Sequence, residues 1–245
     1  VSGFGVLVRR RDRGRQSGLP KDVTRAWRQE SKEQKGSLKM GSITIETLKT
    51  DTFLPPIEKP KGLLMKLAYY LTRRRFGKVL TPLKVHSARL PIAFGQFYAR
   101  VSELDKKLQL SAETVMLVRE QVARTNVCLF CIDIGRAMTI QASMNQAKFD
   151  ALDQYRTSPL FNDAERAALD YVTDLTKTRE VNPDTFSRLR RYYSEREICE
   201  IVWLVASEHL YNMTNIGLNI HSDMLCDISS KNKQKQRTKV TGLPA

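Results

Sequence analysis

LSAETVMLVREQVARTNVCLFCIDIGRA, residues 110–137, reads as two helices joined by a short bend. Ser111 is a capping residue type whose hydroxyl accepts from the free amides of a first turn, and the helix it opens is predicted to run to about Asn126. A second helix is predicted from near Cys128 to about Gln141. Cys128 and Cys131 then lie in or beside its first turn, three residues apart and on one face. Unpaired N–H groups and the positive end of the helix dipole favour a thiolate there. A lowered thiol pKa is what nucleophilic sulfur chemistry needs, and a neighbouring thiol can close a disulfide once the first has been attacked. The plainer reading of the pair is two thiols packed as small apolar side chains.

Outward from this hairpin the pattern stays helical. Leu63, Leu64, Leu67, Ala68 and Leu71 recur at three- and four-residue spacing ahead of Arg73, Arg74 and Arg75, predicting a helix packed on the core, with a membrane-surface helix as the alternative. Pro91 opens another helix through Phe94, Phe97, Tyr98, Val101 and Leu104, and a short one covers Gln146 to Tyr155. Asn162 with Glu165, and Ser194 with Glu197, are capping-box patterns, and Asn182 with Pro183 is a cap followed by a first-turn proline. The helix opened by Ser194 is long and apolar and stops at Gly217. Nothing alternates with period two, so the fold class is all-α, a compact helical bundle with a central CxxC hairpin. Residues 1–39 are read as disordered or a non-native extension ahead of Met40, 40–61 as an extended arm containing Pro55, Pro56 and Pro60, 62–228 as the helical domain, and 229–245 as a basic disordered tail.

The chain has 245 residues, 41% of them apolar, enough for one well-buried domain. No run of eighteen apolar residues occurs, so no transmembrane segment is expected, and the opening VSGFGVLVRRRDRG does not have the order of a signal peptide. Four cysteines do not make a disulfide-stapled secreted scaffold, and a cytoplasmic location is expected. The net charge is +15, but residues 109–228 carry −5, and the positive excess sits in 1–40, 41–108 and 229–245 (+7, +8 and +5). A nucleic-acid reader concentrates positive charge on its folded recognition face, so no specific nucleic-acid partner is expected. Zinc needs four ligands, often as two close pairs, whereas Cys199, Cys226, His86, His209 and His221 stand apart, so no metal is predicted. Cys199, inside an apolar helix, is expected in the core.

The 110–137 hairpin resembles that of the carboxymuconolactone decarboxylase superfamily, in particular its alkyl hydroperoxidase D-like branch. EREICEIVWLVASEHLYNMTNIGLNIHSD resembles the family's closing helix, and the likeness covers roughly Lys61 to Asp227, including RRRFGKVLTPLKVHSARLP. The resemblance implies an all-α homo-oligomer, a trimer or hexamer. Its redox members reduce hydroperoxides with the two thiols and are recycled by a dithiol reductant of lipoyl or thioredoxin type. Its decarboxylase members act on a lactone without depending on the thiols. No metal or bound organic cofactor is implied. The peroxidase pattern has a glutamate twelve residues before the first cysteine and a histidine four after the second, both for proton transfer; here these positions are Met116 and Gly135.

Stand-ins for that proton relay are read from geometry. Glu120 lies one turn beyond Met116 on the same helix face and is expected to point at Cys131; the plainer reading is a surface carboxylate beside Arg124. Asp133 is a second candidate, or a partner of the helix dipole. Glu208, with Asn212 on its face and His209 beside it, either lines a pocket or stitches a subunit contact. The expected function is a thiol–disulfide oxidoreductase acting on organic hydroperoxides, with Cys131 attacking and Cys128, nearer the surface, exchanging with the reductant. The alternatives are a lyase that ignores the thiols and a non-catalytic helical oligomer.

Overall fold

The computed structural model describes residues 52–241, with side-chain surroundings up to residue 234; the expectations for residues 1–39 and the start of the arm lie outside the described residues. Thr52 to Gly62 forms no helix or strand. The Phe53 amide donates to Leu218 O at 3.1 Å, the Ile57 amide to Lys84 O at 3.0 Å, and the Tyr69 hydroxyl to Ile57 O at 2.6 Å. Helix α1 follows (Leu63–Phe76), ending on Gly77 at φ 79°, where glycine takes the left-handed conformation without steric cost. Two wide π-helical stretches, Leu83–Ser87 and Pro91–Gln96, lead into α2 (Phe97–Asp105).

The hairpin is α3 (Ala112–Thr125) and α4 (Leu129–Gln141). Ser111 caps α3 by accepting from the Thr114 amide at 3.0 Å. The short α5 (Gln146–Asp150) and a single 3₁₀ turn (Leu152–Gln154) precede α6 (Asp163–Thr178), α7 (Pro183–Leu189), α8 (Glu195–Ile216) and α9 (Leu225–Thr241). Both capping boxes are formed, Asn162 with Glu165 and Ser194 with Glu197. No strand occurs among the described residues.

Helix α3 is central, packing on α4, α6 and α8, and α4 is covered on another side by α9. Val118 and Val122 meet Ala168, Val172, Ile201, Leu204 and Val205, all buried, in the main core. Met116 and Leu117 sit in a second cluster with Phe149, Leu152 and Leu169. The position where the resembling peroxidases carry a glutamate is therefore apolar core.

Three expectations are corrected. On α1, Leu63, Leu64, Leu67 and Leu71 are exposed, and the residues facing inward are Met65, Tyr69 and Phe76. The helix has two apolar sides, and the narrower one, at four- and seven-residue spacing, faces the core. Cys199 is exposed, because α8 turns Ile198, Ile201, Leu204 and Val205 inward and leaves Cys199 with Val202 on the far side. Of the tail expected to lack structure, residues 229–241 continue α9. Lysine, glutamine and arginine are good helix formers, and Lys233 donates to Ile140 O at 3.2 Å and to Ser143 Oγ at 3.1 Å, fastening α9 to the end of α4.

Candidate active site

The bend between α3 and α4 is tight. Asn126 closes α3, Val127 takes φ 55°, and the Cys128 amide returns to Ala123 O at 2.9 Å. A β-branched residue seldom adopts positive φ, so the bend holds its shape against local preference. Cys128 becomes the N-cap of α4 and Cys131 its third residue. The two sulfurs are joined in a disulfide, with Cα atoms 5.3 Å apart, a usual span for that bond.

Both sulfurs are deeply placed, and their order differs from expectation. Cys128 is 0% exposed and Cys131 6%. The N-cap position points the Cys128 side chain back under α3, against Ala123, whereas Cys131 faces Asn215 of α8. The Asn215 amide nitrogen donates to Cys131 Sγ at 3.5 Å, within range for a sulfur acceptor. Beside the pair stands an aromatic wall. Tyr211 packs on the cysteine cluster, its ring 5.0 Å from Tyr98, which lies 5.8 Å from Phe94, and Phe94 lies 4.3 Å from His86. Burial holds Tyr98 protonated, its pKa pushed up to about 12, and drives His86 down to about 4, so that this ring is neutral at physiological pH.

Glu120 is 1% exposed rather than on the surface. It points at Gly135, one turn beyond Cys131 on the same face of α4. A Cβ built on Gly135 would overlap Glu120 Oε1 and lie 3.1 Å from its carboxyl carbon. The carboxylate thus fills the place where the resembling peroxidases carry their histidine. Arg124 Nε is 3.5 Å from Oε2, but that guanidinium spends its other nitrogens on Asp153 (3.0 Å) and Phe149 O (2.9 Å), and neither Glu120 oxygen receives a hydrogen bond. Desolvation outweighs the pull of Arg124 and Arg136 and raises the Glu120 pKa to about 8.

Glu208 belongs to an internal network. Its Oε2 accepts from Arg119 at 3.0 Å and its Oε1 from Asn212 at 2.8 Å. Arg119 also binds Asp105 at 2.6 Å and lies over the Tyr211 ring, 5.7 Å from its centroid. Asn212 accepts from Asn126, whose amide also meets His209 at 3.1 Å. The network therefore ties α2, α3 and α8 to the residue before the bend. Burial pushes Glu208 upward against Arg119 and Asn212, and its charge in turn raises Glu120, Tyr98 and Tyr211. The fold thus brings Glu120, Glu208 and the aromatic wall into one electrostatic neighbourhood.

Asp133 is committed elsewhere. Its carboxylate accepts from the backbone amides of Asp223 (2.9 Å), Leu225 (3.0 Å) and Cys226 (2.9 Å), capping α9. With three backbone amides as its donors, it serves as a structural cap. His86 and Asn215 are not among the site residues that the sequence predicts. Asn215 continues the polar row of Glu208 and Asn212 by three more positions along α8, a signal present in the sequence; His86 carries none. No group of three or more metal-ligating side chains occurs among the described residues, and none of their helices is long and apolar enough to cross a membrane.

No family model matches the chain. It is 29% identical over 180 residues to the uncharacterized protein YnjA of Escherichia coli, covering 73% of this chain and 98% of that protein. A peroxidase-related protein from Ralstonia eutropha, described as an alkylhydroperoxidase AhpD core, superposes with a TM-score of 0.59 at 19% identity, over 71% of this chain and 97% of its own. The debrominase Bmp8, solved with 2,3,4-tribromopyrrole, superposes with a TM-score of 0.62 at 19% identity, over 74% and 97%. With its cysteine hairpin at the centre of an all-helical bundle, the chain has the fold of the alkyl hydroperoxidase D-like, peroxidase-related proteins.

Proposed function

We propose that the chain is a thiol–disulfide oxidoreductase that reduces organic hydroperoxides and is recycled by a dithiol. The observation that carries this reading is the joined pair Cys128–Cys131 on the first turn of α4, with an amide donor on the less buried sulfur. The Cys131 thiolate attacks the distal oxygen of ROOH; the O–O bond breaks, and with one proton the products are the Cys131 sulfenic acid and ROH. The Cys128 thiol then attacks that sulfur, forming the disulfide and releasing water. A dithiol of lipoyl or thioredoxin type restores both thiols and leaves as its own disulfide. Burial supports giving Cys131 both external steps, attack on the peroxide and attack by the reductant, with Cys128 as the internal resolving thiol.

Glu120 is the proton source this reading favours. A carboxyl with a pKa of about 8 is mostly protonated at neutral pH and can supply the leaving alkoxide. The aromatic wall favours an apolar or aromatic R group over hydrogen peroxide. A brominated pyrrole belongs in the same substrate panel, since a protein of this fold acts as a debrominase. Homo-oligomeric assembly is part of the proposal, supported by exposed leucines on α1 and by Val202, Leu210 and Met213 exposed along α8.

The test is turnover of cumene hydroperoxide with a lipoyl domain or thioredoxin as donor. Cys131→Ser is expected to abolish turnover, and Cys128→Ser to stop after one equivalent with a trappable sulfenic acid on Cys131. Equal activity of the double serine variant and the parent on a lactone would replace this reading with lyase chemistry. Inactivity with every donor and substrate, together with no reversible disulfide by thiol titration, would leave a helical scaffold without redox function.

A further inference from the structure

Two buried polar atoms beside the cysteine pair have no hydrogen-bond partner within normal geometry: His86 Nε2 and Asn215 Oδ1. They come from distant parts of the chain, the π-helical stretch Leu83–Ser87 and the last turn of α8. The two side chains nevertheless interact with each other, His86 gaining a side-chain contact from Asn215. Asn215 is 3% and His86 4% exposed, so neither is completed by bulk water. On its other side Asn215 donates its amide nitrogen to Cys131 Sγ.

The proton positions follow from the neighbours. Ser87 Oγ lies 3.2 Å from His86 Nδ1; in the tautomer protonated at Nε2 the Ser87 hydroxyl donates to Nδ1, and the Nε2 proton is left for the Asn215 carbonyl. The ring cannot easily turn away, with Phe94 4.3 Å and Tyr98 6.0 Å from its centroid. An amide held this way has only its NH₂ left for the sulfur. The flipped amide would set its carbonyl oxygen against a thiolate and face two donors, Nε2–H and its own NH₂, toward each other.

We infer that His86 and Asn215 are positioning residues for Cys131: the imidazole fixes the amide, and the amide donates to the sulfur that becomes the thiolate. This rests on the redox reading of the cysteine pair and adds to it the groups that prepare the attacking sulfur. When a dithiol opens the disulfide, Cys128 and Cys131 each gain a proton and the dithiol becomes a disulfide. Cys131 then loses its proton to water, and the Asn215 N–H stabilises the anion through a hydrogen bond that a neutral thiol accepts only weakly. The titratable and charged groups around this sulfur are Tyr211 of α8, Tyr98 of α2, Glu120 of α3, the Arg119–Glu208 pair behind Tyr211, and His86 itself. Burial keeps both tyrosines protonated, and His86 stays neutral above about pH 4, so none of the three changes charge between pH 5 and pH 9.

The experiment is the pH profile of iodoacetamide alkylation at Cys131, read by peptide mass spectrometry on the reduced full chain carrying Cys128→Ser. Asn215→Leu and His86→Leu are each expected to move the midpoint upward by about one pH unit, about tenfold less thiolate at neutral pH. Asn215→Asp, close to isosteric, is expected to move it further, because a carboxylate replaces the donor. His86→Gln, which keeps an N–H for the Asn215 carbonyl, is expected to restore most of the parent midpoint. Circular dichroism identifies any variant that fails to fold; the near-isosteric Asn215→Asp and His86→Gln then decide. Unchanged midpoints in the folded Asn215 variants, or a His86→Gln midpoint as high as that of His86→Leu, overturn the inference. Alkylation needs no peroxide, so the two readings fail separately. A low, Asn215-dependent midpoint without peroxide turnover removes the peroxidase and keeps the positioning pair. Turnover with insensitive midpoints does the reverse.

Discussion

Glu120 is a carboxylate in a place that does not solvate it. Both oxygens are buried without a hydrogen bond, and the room they occupy exists only because Gly135 has no side chain. Burial of this kind favours the neutral acid, which gives the residue its elevated pKa of about 8 and makes it a stability element that depends on pH. Below pH 4.5 the group is protonated in both folded and unfolded chains and carries no penalty. As pH rises, the unfolded chain ionises first, the folded one resists, and stability falls until the folded pKa is passed. Glu120→Gln removes the titration while keeping the shape. Denaturant melts of both proteins from pH 4 to pH 9 are expected to show the parent losing stability relative to Glu120→Gln by up to about 1.4 kcal/mol per pH unit between pH 4.5 and pH 8, and the curves running parallel outside that window. Parallel curves throughout would mean that Glu120 is solvated and ordinary. Half of this finding is legible in the sequence: spacing puts Glu120 on the face of Met116, with an inward and a surface reading both open, and Gly135 stands where the resembling peroxidases carry a histidine. That the one fills the space of the other depends on the rotation of two helices about their axes, which no local signal encodes.

At the scale of elements, the legible features are those closed within a few residues. Ser111, Asn162, Asn182 and Ser194 each cap their own helix, and those boundaries follow from short-range hydrogen bonding. The features missed join elements far apart in the chain. Asp133 is one, a residue on the first half of α4 that caps α9 some ninety positions later through three backbone amides. Aspartate near a helix start is ordinarily read as a partner of its own dipole; here it serves the dipole of another helix. Helix α9 is strongly polar and, among its described side chains, buries Leu225 and Ser229, so this cap and the Lys233 contacts to Ile140 and Ser143 weigh heavily in holding it to α4. Asp133→Ala is expected to cost about 2 kcal/mol, because three amides lose a charged acceptor. Hydrogen exchange should rise first at the amides of Leu225 and Cys226, ahead of global unfolding. A uniform rise in exchange across α3 and α4 at the same time would show that Asp133 supports the whole bundle rather than the docking of one helix.

For the molecule as a whole, the question is what covers its apolar outside. Leu63 is 84% exposed, and Leu64, Leu67 and Leu71 share its side of α1, with Lys66 and Arg73 at the margin. A second row, Val202, Leu210 and Met213, runs the length of α8 beside the exposed Cys199. Scattered exposed leucines need no explanation, but aligned rows on two helices present apolar surface that another copy of the chain can cover. Two separate faces also match what a closed assembly with more than one kind of contact requires, as a hexamer built from trimers does and a simple twofold dimer does not. The leucine side of α1 is the one legible as a helix face, and it stays outside; which side turns inward is decided by the core's need for Met65, Tyr69 and Phe76. Light scattering behind size exclusion is expected to give a mass of several chains for the parent. Leu67→Glu with Leu71→Glu should weaken the assembly at least tenfold in concentration dependence, since each buries a charge at the contact. Because both side chains are outside the core, the melting of the separated chain should change little, and Cys131 alkylation reports whether the site survives without its neighbours. A monomeric parent at micromolar concentration would refute the assembly and leave these rows without a partner in another copy of the chain.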